Sequence, residues 1–433
     1  MTAPLDVSLA GYAVAPLSVF DRAVRRRFLA QMAALKGGRV HLIDPWGEHL
    51  LGNEASEAKS ALPVVTCRVK DVRFYRALAL RGSVGAAEAW IDGAWECPEL
   101  VELVRLLVRN RDRLDAMERG MAVLGRVAMR AWQALRPNTR DGSRKNIAAH
   151  YDLGNAFFER FLSTDMMYSS AWWDTDTTTL EEASTRKLDR VCEALGLRPG
   201  LRVVEIGTGW GGFALHAARH YGCHVTTTTI SAEQHALAVE KVRAAGLSGQ
   251  IEVLASDYRD LSGQFDRLVS IEMIEAIGAA QMETYFRKIG DLLRPDGMAL
   301  VQAITIEDHR YAQALASVDF IKRHVFPGSF IPSLQAMLEA KTRASDLALV
   351  YQQDFGISYA RTLHAWAERF MHERDAVQAM GFDASFIRLW QFYLAYCEGG
   401  FLERSIGVSH LLFARPDARP ESGQWVRATG VAA

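Results

Sequence analysis

The sequence predicts an α/β protein in which a doubly wound parallel sheet follows a smaller N-terminal α+β domain. The chain has 433 residues, more than a single hydrophobic core usually supports. Strand and helix patterns alternate from about residue 145 onward, as parallel strands joined by helical crossovers require. Before that point, short segments are mixed with turn signals. We expect a small domain over residues 1–118, a basic helical linker over 119–145 and the larger domain over 146–433.

Composition narrows the class of protein. With 49% hydrophobic residues, 23% charged residues and a net charge of −1, the chain reads as globular and has no overall attraction for nucleic acid. Its five cysteines are widely spaced, which argues against a disulfide framework and a zinc site and suits a reducing cytoplasm. We expect no signal peptide, because residues 1–10 carry no Lys or Arg ahead of an apolar core. No uncharged apolar run approaches the roughly 20 residues of a spanning helix, so any membrane contact should be peripheral.

In the small domain, the patterns predict two strands, over Arg39–Ile43 and Val64–Val69. Turns are expected at Gly47 and at Gly52–Asn53. A helix is expected around Ala86–Ile91, ending in a turn at the Asp-Gly pair that follows it.

A long helical pattern continues from Val101 to Leu135. Its second half is basic, because the segment from Arg119 to Lys145 contains seven Lys or Arg residues and one acid. Trp, Leu and Met side chains alternate with these charges, which is typical of a helix that lies on a membrane surface. The alternative is a solvated linker helix whose apolar stripe packs on the next domain. The PNTRDGS stretch at residues 137–143 then marks the domain boundary.

The larger domain is expected to alternate strands with helices. The predicted strands are Leu201–Ile206, His224–Ile230, Ile251–Ala255, Phe265–Ser270 and Met298–Ile304. Two helices, Phe213–Arg219 and Ala232–Ala245, follow the first two strands. From Ser358 onward the sequence reads as helical and rich in aromatic residues.

A glycine-rich motif, VVEIGTGWGG, spans Val203–Gly212 at the junction of the first strand and the first helix of this domain. Gly207, Gly209 and Gly211 allow a sharp backbone turn and let a ligand lie against it, and the next helix offers free N–H groups. The same letters satisfy the G-x-G-x-x-G pattern of dinucleotide-binding folds, which on its own is a weak signal.

Two observations favour S-adenosylmethionine over a dinucleotide. Glu205 precedes the first glycine by two residues, where a carboxylate would repel a pyrophosphate but tolerate a sulfonium cation. The next strand ends in Thr229-Ile230-Ser231 and is followed by Gln234, with no acidic residue for the ribose of NAD at the expected place. An NAD-dependent oxidoreductase is therefore the weaker interpretation.

Beyond this motif, the chain resembles the cyclopropane-fatty-acyl-phospholipid synthase family, which includes mycolic acid cyclopropane synthases. The resemblance runs in matching order from about residue 70 to 415. It rests on GAAEAWIDGAWECPEL (Gly85–Leu100), HYDLGNAFFERFL (His150–Leu162), MMYSSAWW (Met166–Trp173), TISAEQ (Thr229–Gln234), DYRDL (Asp257–Leu261), FDRLVSIEMIEAIG (Phe265–Gly278), FIKRHVFPGSFIPS (Phe320–Ser333), the segment Phe355–Trp366 and FYLAYCEGGF (Phe392–Phe401).

The resemblance implies a Rossmann-like class I methyltransferase domain with a helical lipid-binding cover. It implies methyl transfer from S-adenosylmethionine to an alkene of a phospholipid acyl chain, giving a carbocation that a bound bicarbonate deprotonates. The bicarbonate pocket would be formed by Glu275, Tyr359, Ser170 in place of a Cys, Gln302 in place of a His, and the backbone of Ile304. Ser170 can still donate a hydrogen bond to an anion. The cofactor contacts would be Tyr168, Ser169, Glu205, Gly207, Gly209, Gly211, Thr229, Gln234, Asp257 and Tyr258.

The changed base pocket leaves the product open. Loss of a proton from the added methyl closes a cyclopropane, whereas a hydride shift and loss elsewhere give a methyl- or methylene-branched chain. An apolar aromatic cavity would exclude water and stabilise positive charge. The aromatic candidates are Tyr168, Trp172, Trp173, Tyr359, Phe392, Tyr396 and Phe401.

Two other classes of function compete with this one. The first is a methyltransferase of soluble small molecules or RNA, since the fold does not fix the function. The second is a nonenzymatic lipid- or cofactor-binding protein, which the changes at Ser170 and Gln302 would permit. The expected partner is a membrane phospholipid met peripherally at the inner face of the membrane, with no nucleic acid and with a homodimer as a candidate assembly.

Overall fold

The computed structural model describes residues 16–53, 64–118 and 153–419. The chain divides into two units, Met1–Val123 and Leu124–Ala433. The basic helix predicted over residues 119–145 lies outside the described residues. Within the described ranges, no helix combines the length and the apolarity needed to cross a membrane.

The first unit is built on a four-stranded sheet in the order β2-β1-β3-β4, in which β1 is antiparallel to β2 and parallel to β3. Its elements are α1 (Val19–Ala33), β1 (Gly38–Asp44), β2 (Gly47–Asn53), β3 (Val65–Val69), α2 (Arg73–Ile91), β4 (Trp95–Glu96), α3 (Leu100–Arg109) and α4 (Arg111–Glu118).

The two strands and the helix predicted in this unit are confirmed, but two details of the prediction are wrong. Gly52 lies in strand β2 rather than in a turn, and a Cβ there would come within 2.5 Å of the Gly38 carbonyl oxygen. The long helix predicted from Val101 is interrupted at Asn110. The Asn110 side-chain amide donates to the carbonyl of Leu106 and also binds both backbone groups of Lys36. Such side-chain bonds to the backbone compete with helix continuation.

The second unit is built on a seven-stranded sheet in the order β10-β11-β9-β8-β5-β6-β7. Its elements are α5 (Asn155–Phe158), α6 (Leu180–Ala194), β5 (Arg202–Ile206), α7 (Gly212–Tyr221), β6 (His224–Thr228), α8 (Ala232–Ala244), β7 (Ile251–Leu254), β8 (Phe265–Ile271), α9 (Ile274–Ile277), α10 (Met282–Leu292), β9 (Leu293–Ile306), α11 (Asp308–Leu315), a π-helical turn (Ile321–Val325), α12 (Leu334–Ala344), β10 (Ala348–Asp354), α13 (Gly356–His372), α14 (Arg374–Ala379), α15 (Ala384–Leu402) and β11 (Ile406–Ala414).

Strands β5 to β9 are parallel, as the alternation predicted, while β11 runs antiparallel to both β9 and β10. The aromatic-rich helices expected after Ser358 are present as α13 to α15. Strand β11 was not predicted, because its side chains from Val408 to Ala414 are all buried and so lack the alternation of a half-exposed strand.

Strand β5 lies between β6 and β8, so the direction in which the chain adds strands reverses beside it. In open α/β sheets, ligands bind outside the carboxyl ends of the strands at such a switch point. Apolar clusters cover both faces of the sheet and hold these strand ends in place.

Candidate active site

The glycine turn follows β5 at the switch point. Gly207, Gly209 and Gly211 have φ angles of +99°, +51° and +88°, which lie in the region that glycine adopts readily. The N–H groups of Gly207 and Thr208 donate to the carbonyl of Thr228 on β6, at 3.1 and 2.9 Å. A Cβ on Gly209 would meet no protein atom within 4 Å. The turn is therefore held by the sheet while its surface at Gly209 is free for a ligand.

Glu205 on β5 is buried, and the hydroxyl of Thr227 donates to its Oε2 at 2.6 Å. Burial raises the pKa of Glu205 to about 8, although the Thr227 bond and the charge of Lys187 act in the opposite direction. A cation bound beside this carboxyl would favour its ionised form. The residues thus suit a cationic cofactor better than a polyphosphate.

Four more of the residues predicted to hold the cofactor follow the neighbouring strands β6 and β7. Thr229 donates to the side-chain carbonyl of Gln234 at 2.9 Å. Asp257 pairs with Arg259 through two bonds of 2.8 and 2.7 Å. The buried hydroxyl of Tyr258 has no hydrogen-bond partner among the described residues. These side chains lie at the same edge of the sheet as the glycine turn, so the set fits S-adenosylmethionine.

A second polar cluster lies after β8 and centres on Glu272, a residue that the sequence interpretation did not select. Its Oε1 accepts hydrogen bonds from the backbone N–H of Ser170 at 2.9 Å and from Nε2 of Gln302 at 2.7 Å. Its Oε2 accepts from the hydroxyl of Tyr359 at 2.7 Å. Three of the five residues predicted for the base pocket therefore converge on the protein's own carboxylate. An acidic residue directly after a buried strand was the signal that could have identified it.

Glu275 and Ile304, the other two predicted residues, pair with each other. The N–H of Ile304 donates to Oε1 of Glu275 at 2.6 Å, and Oε2 of Glu275 is buried without a partner in the described part of the chain. Burial raises the pKa of Glu275 to about 8, and the charge of Glu272 adds to the rise.

These contacts do not fit an additional bicarbonate ion. Three of the residues expected to bind bicarbonate donate hydrogen bonds to Glu272 instead, and the N–H of Ile304 donates to Glu275. The hydroxyl of Ser170 donates to the carbonyl of Ala171 at 3.0 Å instead of facing an anion.

The amide of Gln302 is oriented by His410, which faces it across strands β9 and β11. Nε2 of His410 lies 2.9 Å from Oε1 of Gln302. Burial lowers the pKa of His410 to about 3, so the ring is neutral and donates one N–H to that oxygen. The NH₂ group of Gln302 therefore faces Glu272.

Lys187 on α6 is a buried cation that the sequence interpretation also missed. Its Nζ donates to the hydroxyl of Ser169 at 2.9 Å. Burial lowers its pKa to about 8, while the charges of Asp165, Glu272 and Glu205 raise it. The positive charge of Lys187 thus stabilises the ionised forms of Glu205, beside the glycine turn, and of Glu272, in the second cluster. The segment TRKLDRV reads as an ordinary helix, so nothing in the sequence marks this lysine.

Aromatic rings pack beside the Glu272 cluster. The hydroxyls of Tyr168 and Tyr393 lie 3.0 Å apart, and the Tyr168 ring lies 5.3 Å from that of Trp366. The ring of Tyr359 stacks on that of Phe401 at 4.4 Å. Such rings exclude water and can stabilise positive charge.

The remaining aromatic candidates make other contacts. The ring of Trp172 lies under the guanidinium of Arg190 at 3.7 Å. The indole N–H of Trp173 donates to the hydroxyl of Thr362 at 3.0 Å. Phe392 and Tyr396 both pack against Phe320, at 4.8 and 6.0 Å.

A largely parallel sheet in which a strand with a buried acid leads into this glycine turn defines the class of the protein as an S-adenosylmethionine-dependent methyltransferase. The chain belongs to the mycolic acid cyclopropane synthetase family, whose sequence model matches residues 138–411.

Two curated relatives support this assignment. The chain is 38% identical to tuberculostearic acid methyltransferase UfaA1 of Mycobacterium tuberculosis, over 75% of this chain and 77% of that protein. It is 35% identical to the cyclopropane-fatty-acyl-phospholipid synthase of Escherichia coli strain K12, over 80% of this chain and 87% of that protein.

A solved structure supports the same assignment. The mycolic acid cyclopropane synthase CmaA1 complexed with SAH and CTAB matches with a TM-score of 0.58 and 28% identity, covering 63% of this chain and 98% of that one. The predicted fold class and cofactor class are confirmed.

Proposed function

We propose that this enzyme transfers a one-carbon unit to the double bond of an unsaturated acyl chain of a membrane phospholipid and closes a cyclopropane. The observation that carries the proposal is a buried carboxylate cluster with aromatic walls, placed directly beside the cofactor turn. The two sites are adjacent because a Cβ on Gly207 would lie 3.2 Å from the side chain of Met273, the residue after Glu272.

S-adenosylmethionine supplies an electrophilic methyl group on a sulfonium. An alkene is a weak nucleophile, so the protein must hold the double bond close to that methyl and away from water. The rings of Tyr168, Trp366 and Tyr359 exclude water from the reacting carbons and face the positive charge that develops on the acyl chain. The residues proposed to contact the cofactor are those at the carboxyl ends of β5, β6 and β7, together with Tyr168 and Ser169.

A second product class shares the same first step. After a hydride shift, loss of a proton from the added carbon gives a methylene-branched chain, whereas loss from a neighbouring chain carbon gives a methyl-branched alkene. The relative at 38% identity that is named a tuberculostearic acid methyltransferase favours this alternative.

The membrane contact belongs to the same proposal. An enzyme that acts on phospholipid chains must reach the bilayer, and the basic amphipathic pattern over residues 119–145 suits a surface contact from the cytoplasmic side.

The test uses the full chain with methyl-labelled S-adenosylmethionine and two sets of phosphatidylglycerol vesicles, one with monounsaturated and one with saturated acyl chains. We expect label in the extracted acyl chains of the unsaturated vesicles only. NMR of the product then distinguishes the ring methylene of a cyclopropane from a branched chain. Label that stays in the aqueous phase, or transfer to both vesicle sets, would contradict the proposal.

A further inference from the structure

The carboxylate of Glu272 occupies the donor set that the family resemblance assigns to a bicarbonate ion. Ser170, Gln302 and Tyr359 donate to it from three different parts of the chain, at 2.9, 2.7 and 2.7 Å. A carboxylate and a bicarbonate both present two coplanar oxygens that share one negative charge. The same three donors can therefore hold either anion, but they cannot hold both at once.

We infer that the side chain of Glu272 takes the place of bicarbonate and is the base that removes the proton after methyl transfer. This inference rests on the proposed function, because it names the proton acceptor for that same reaction.

The hydrogen bonds leave one acceptor position free on this carboxylate. A carboxylate offers about four lone-pair positions on its two oxygens. Oε1 accepts two bonds, from Ser170 and Gln302, whereas Oε2 accepts one bond, from Tyr359, within the described ranges. Oε2 of Glu272 is thus the oxygen that can take a proton without losing a partner. Tyr359 also stacks on Phe401, so this oxygen lies on the aromatic side of the cluster.

The backbone at Glu272 indicates that this side chain is placed at a cost to stability. Its φ angle is +49°, in the left-handed region that favours glycine over residues with a Cβ. The N–H of Glu272 donates to the carbonyl of Gln302 at 2.8 Å, which anchors the strained residue to β9. Strained backbone of this kind persists where many surrounding contacts hold it in place, commonly at functional sites.

The surroundings also make Glu272 the ionised member of the carboxyl pair. Glu272 has three donors and the nearby positive charge of Lys187, whereas Glu275 has the single donor Ile304. Burial raises the pKa of both groups. Because two neighbouring carboxylates do not both ionise readily, the one with more hydrogen-bond donors carries the charge. Glu275 stays neutral and Glu272 is the anion that can accept a proton.

Methyl transfer and deprotonation together conserve all atoms and electrons. The π electrons of the alkene form the bond to the methyl carbon, and the sulfonium becomes the neutral thioether S-adenosylhomocysteine. Oε2 of Glu272 then takes a proton from the added methyl carbon of the cation. The released C–H electron pair becomes the third side of the cyclopropane or, after a hydride shift, the double bond of a methylene group. Glu272 becomes a neutral acid and returns its proton to solvent before the next turnover.

The test measures lipid methylation by the full chain in buffer freed of carbon dioxide and in buffer with added bicarbonate. The variants are Glu272→Gln, which keeps the shape and removes the base, and Glu272→Gly, which removes the side chain and relieves the positive φ. Glu398→Gln is the matched control, because Glu398 is another buried carboxylate of this unit and is paired with His364 instead.

The wild type should keep its rate within about twofold when bicarbonate is removed. Glu272→Gln should lose at least a hundredfold, the usual contribution of a positioned base, and bicarbonate should not restore it. Glu272→Gly should lose as much in carbon-dioxide-free buffer and regain at least tenfold with formate or bicarbonate, while Glu398→Gln stays near wild type. A bicarbonate requirement in the wild type, or full activity in Glu272→Gln, would overturn the inference.

A binding measurement decides the inference even if the wild type methylates no lipid, an outcome that would refute the proposed function instead. Formate or bicarbonate should raise the melting temperature of Glu272→Gly by about 1–2 °C at concentrations well above Kd and leave that of the wild type unchanged. Equal stabilisation of both proteins would show a free anion site beside Glu272 and would refute the replacement.

Discussion

Replacing Gly209 by alanine tests whether the glycine turn holds the cofactor. A Cβ at this position would meet no protein atom within 4 Å, so the substitution creates no clash inside the protein. The φ angle of +51° makes alanine less favourable than glycine by about 1–2 kcal/mol in unfolding free energy. If the cofactor lies on this surface, the added methyl overlaps it. Overpacking of one methyl group costs about 1–3 kcal/mol, which corresponds to about 5- to 150-fold in Kd.

Gly246 provides the matched control. Its φ angle is +69°, its Cβ would also meet no protein atom within 4 Å, and it follows the end of α8, about 12 Å along the helix direction from Ala238, which lies beside Gly211 of the turn. Gly246→Ala should lose similar stability in urea denaturation and keep its affinity for S-adenosylmethionine in calorimetric titration. The reasoning is refuted if Gly209→Ala binds the cofactor as tightly as the wild type, or if both variants lose affinity equally.

Three further substitutions, one of them with a matched control, test the cluster and the core. Tyr359→Phe removes a donor to the ionised form of Glu272, so the pKa of that carboxyl should rise. The acidic limb of the pH profile of kcat should then move up by about one to two pH units. An unchanged acidic limb would show that Tyr359 does not act on the catalytic base. The pKa of Glu275 is raised to about 8 in the folded protein, so the native carboxyl keeps a proton that the unfolded chain releases. The contribution of this group to the free energy of unfolding therefore falls as the pH rises from about 4.5 to 8. Glu275→Gln should flatten that fall in urea titrations at several pH values, and an unchanged slope would contradict the assignment. Phe157 is fully buried among six aromatic rings, so Phe157→Ala should lower the free energy of unfolding by about 3–5 kcal/mol. The control Met380→Ala, at a side chain 38% exposed, should lower it by less than about 0.5 kcal/mol. Similar losses of unfolding free energy in both variants would argue against this core.

The parts of the fold that the sequence predicted correctly depend on local patterns. Strands β5 to β9 read as short apolar or β-branched runs between turns, and their order in the chain alternates with helices. Strand β11 escaped detection because its side chains are buried on both faces. The break at Asn110 depends on contacts with Lys36, which is far away in the sequence, so no local pattern could predict it.

The same division applies to the site. The glycine turn and Glu205 were predicted because they lie in one continuous stretch of chain, Val203–Gly212. The Glu272 cluster brings together Ser170, Gln302 and Tyr359 from separate elements, and only the folded sheet places them around one carboxylate. A resemblance assigns roles position by position, so it could name those three residues but not the side chain that they bind.

The central claim is that a one-carbon unit from S-adenosylmethionine enters the alkene of an acyl chain and that the proton lost comes from that carbon. Mass spectrometry of acyl chains after reaction with trideuteromethyl-labelled cofactor tests this directly. The account predicts a product that has gained one CD₂ unit. A product with all three deuterons would place the proton loss elsewhere on the chain, and acyl chains without deuterium would contradict the account altogether.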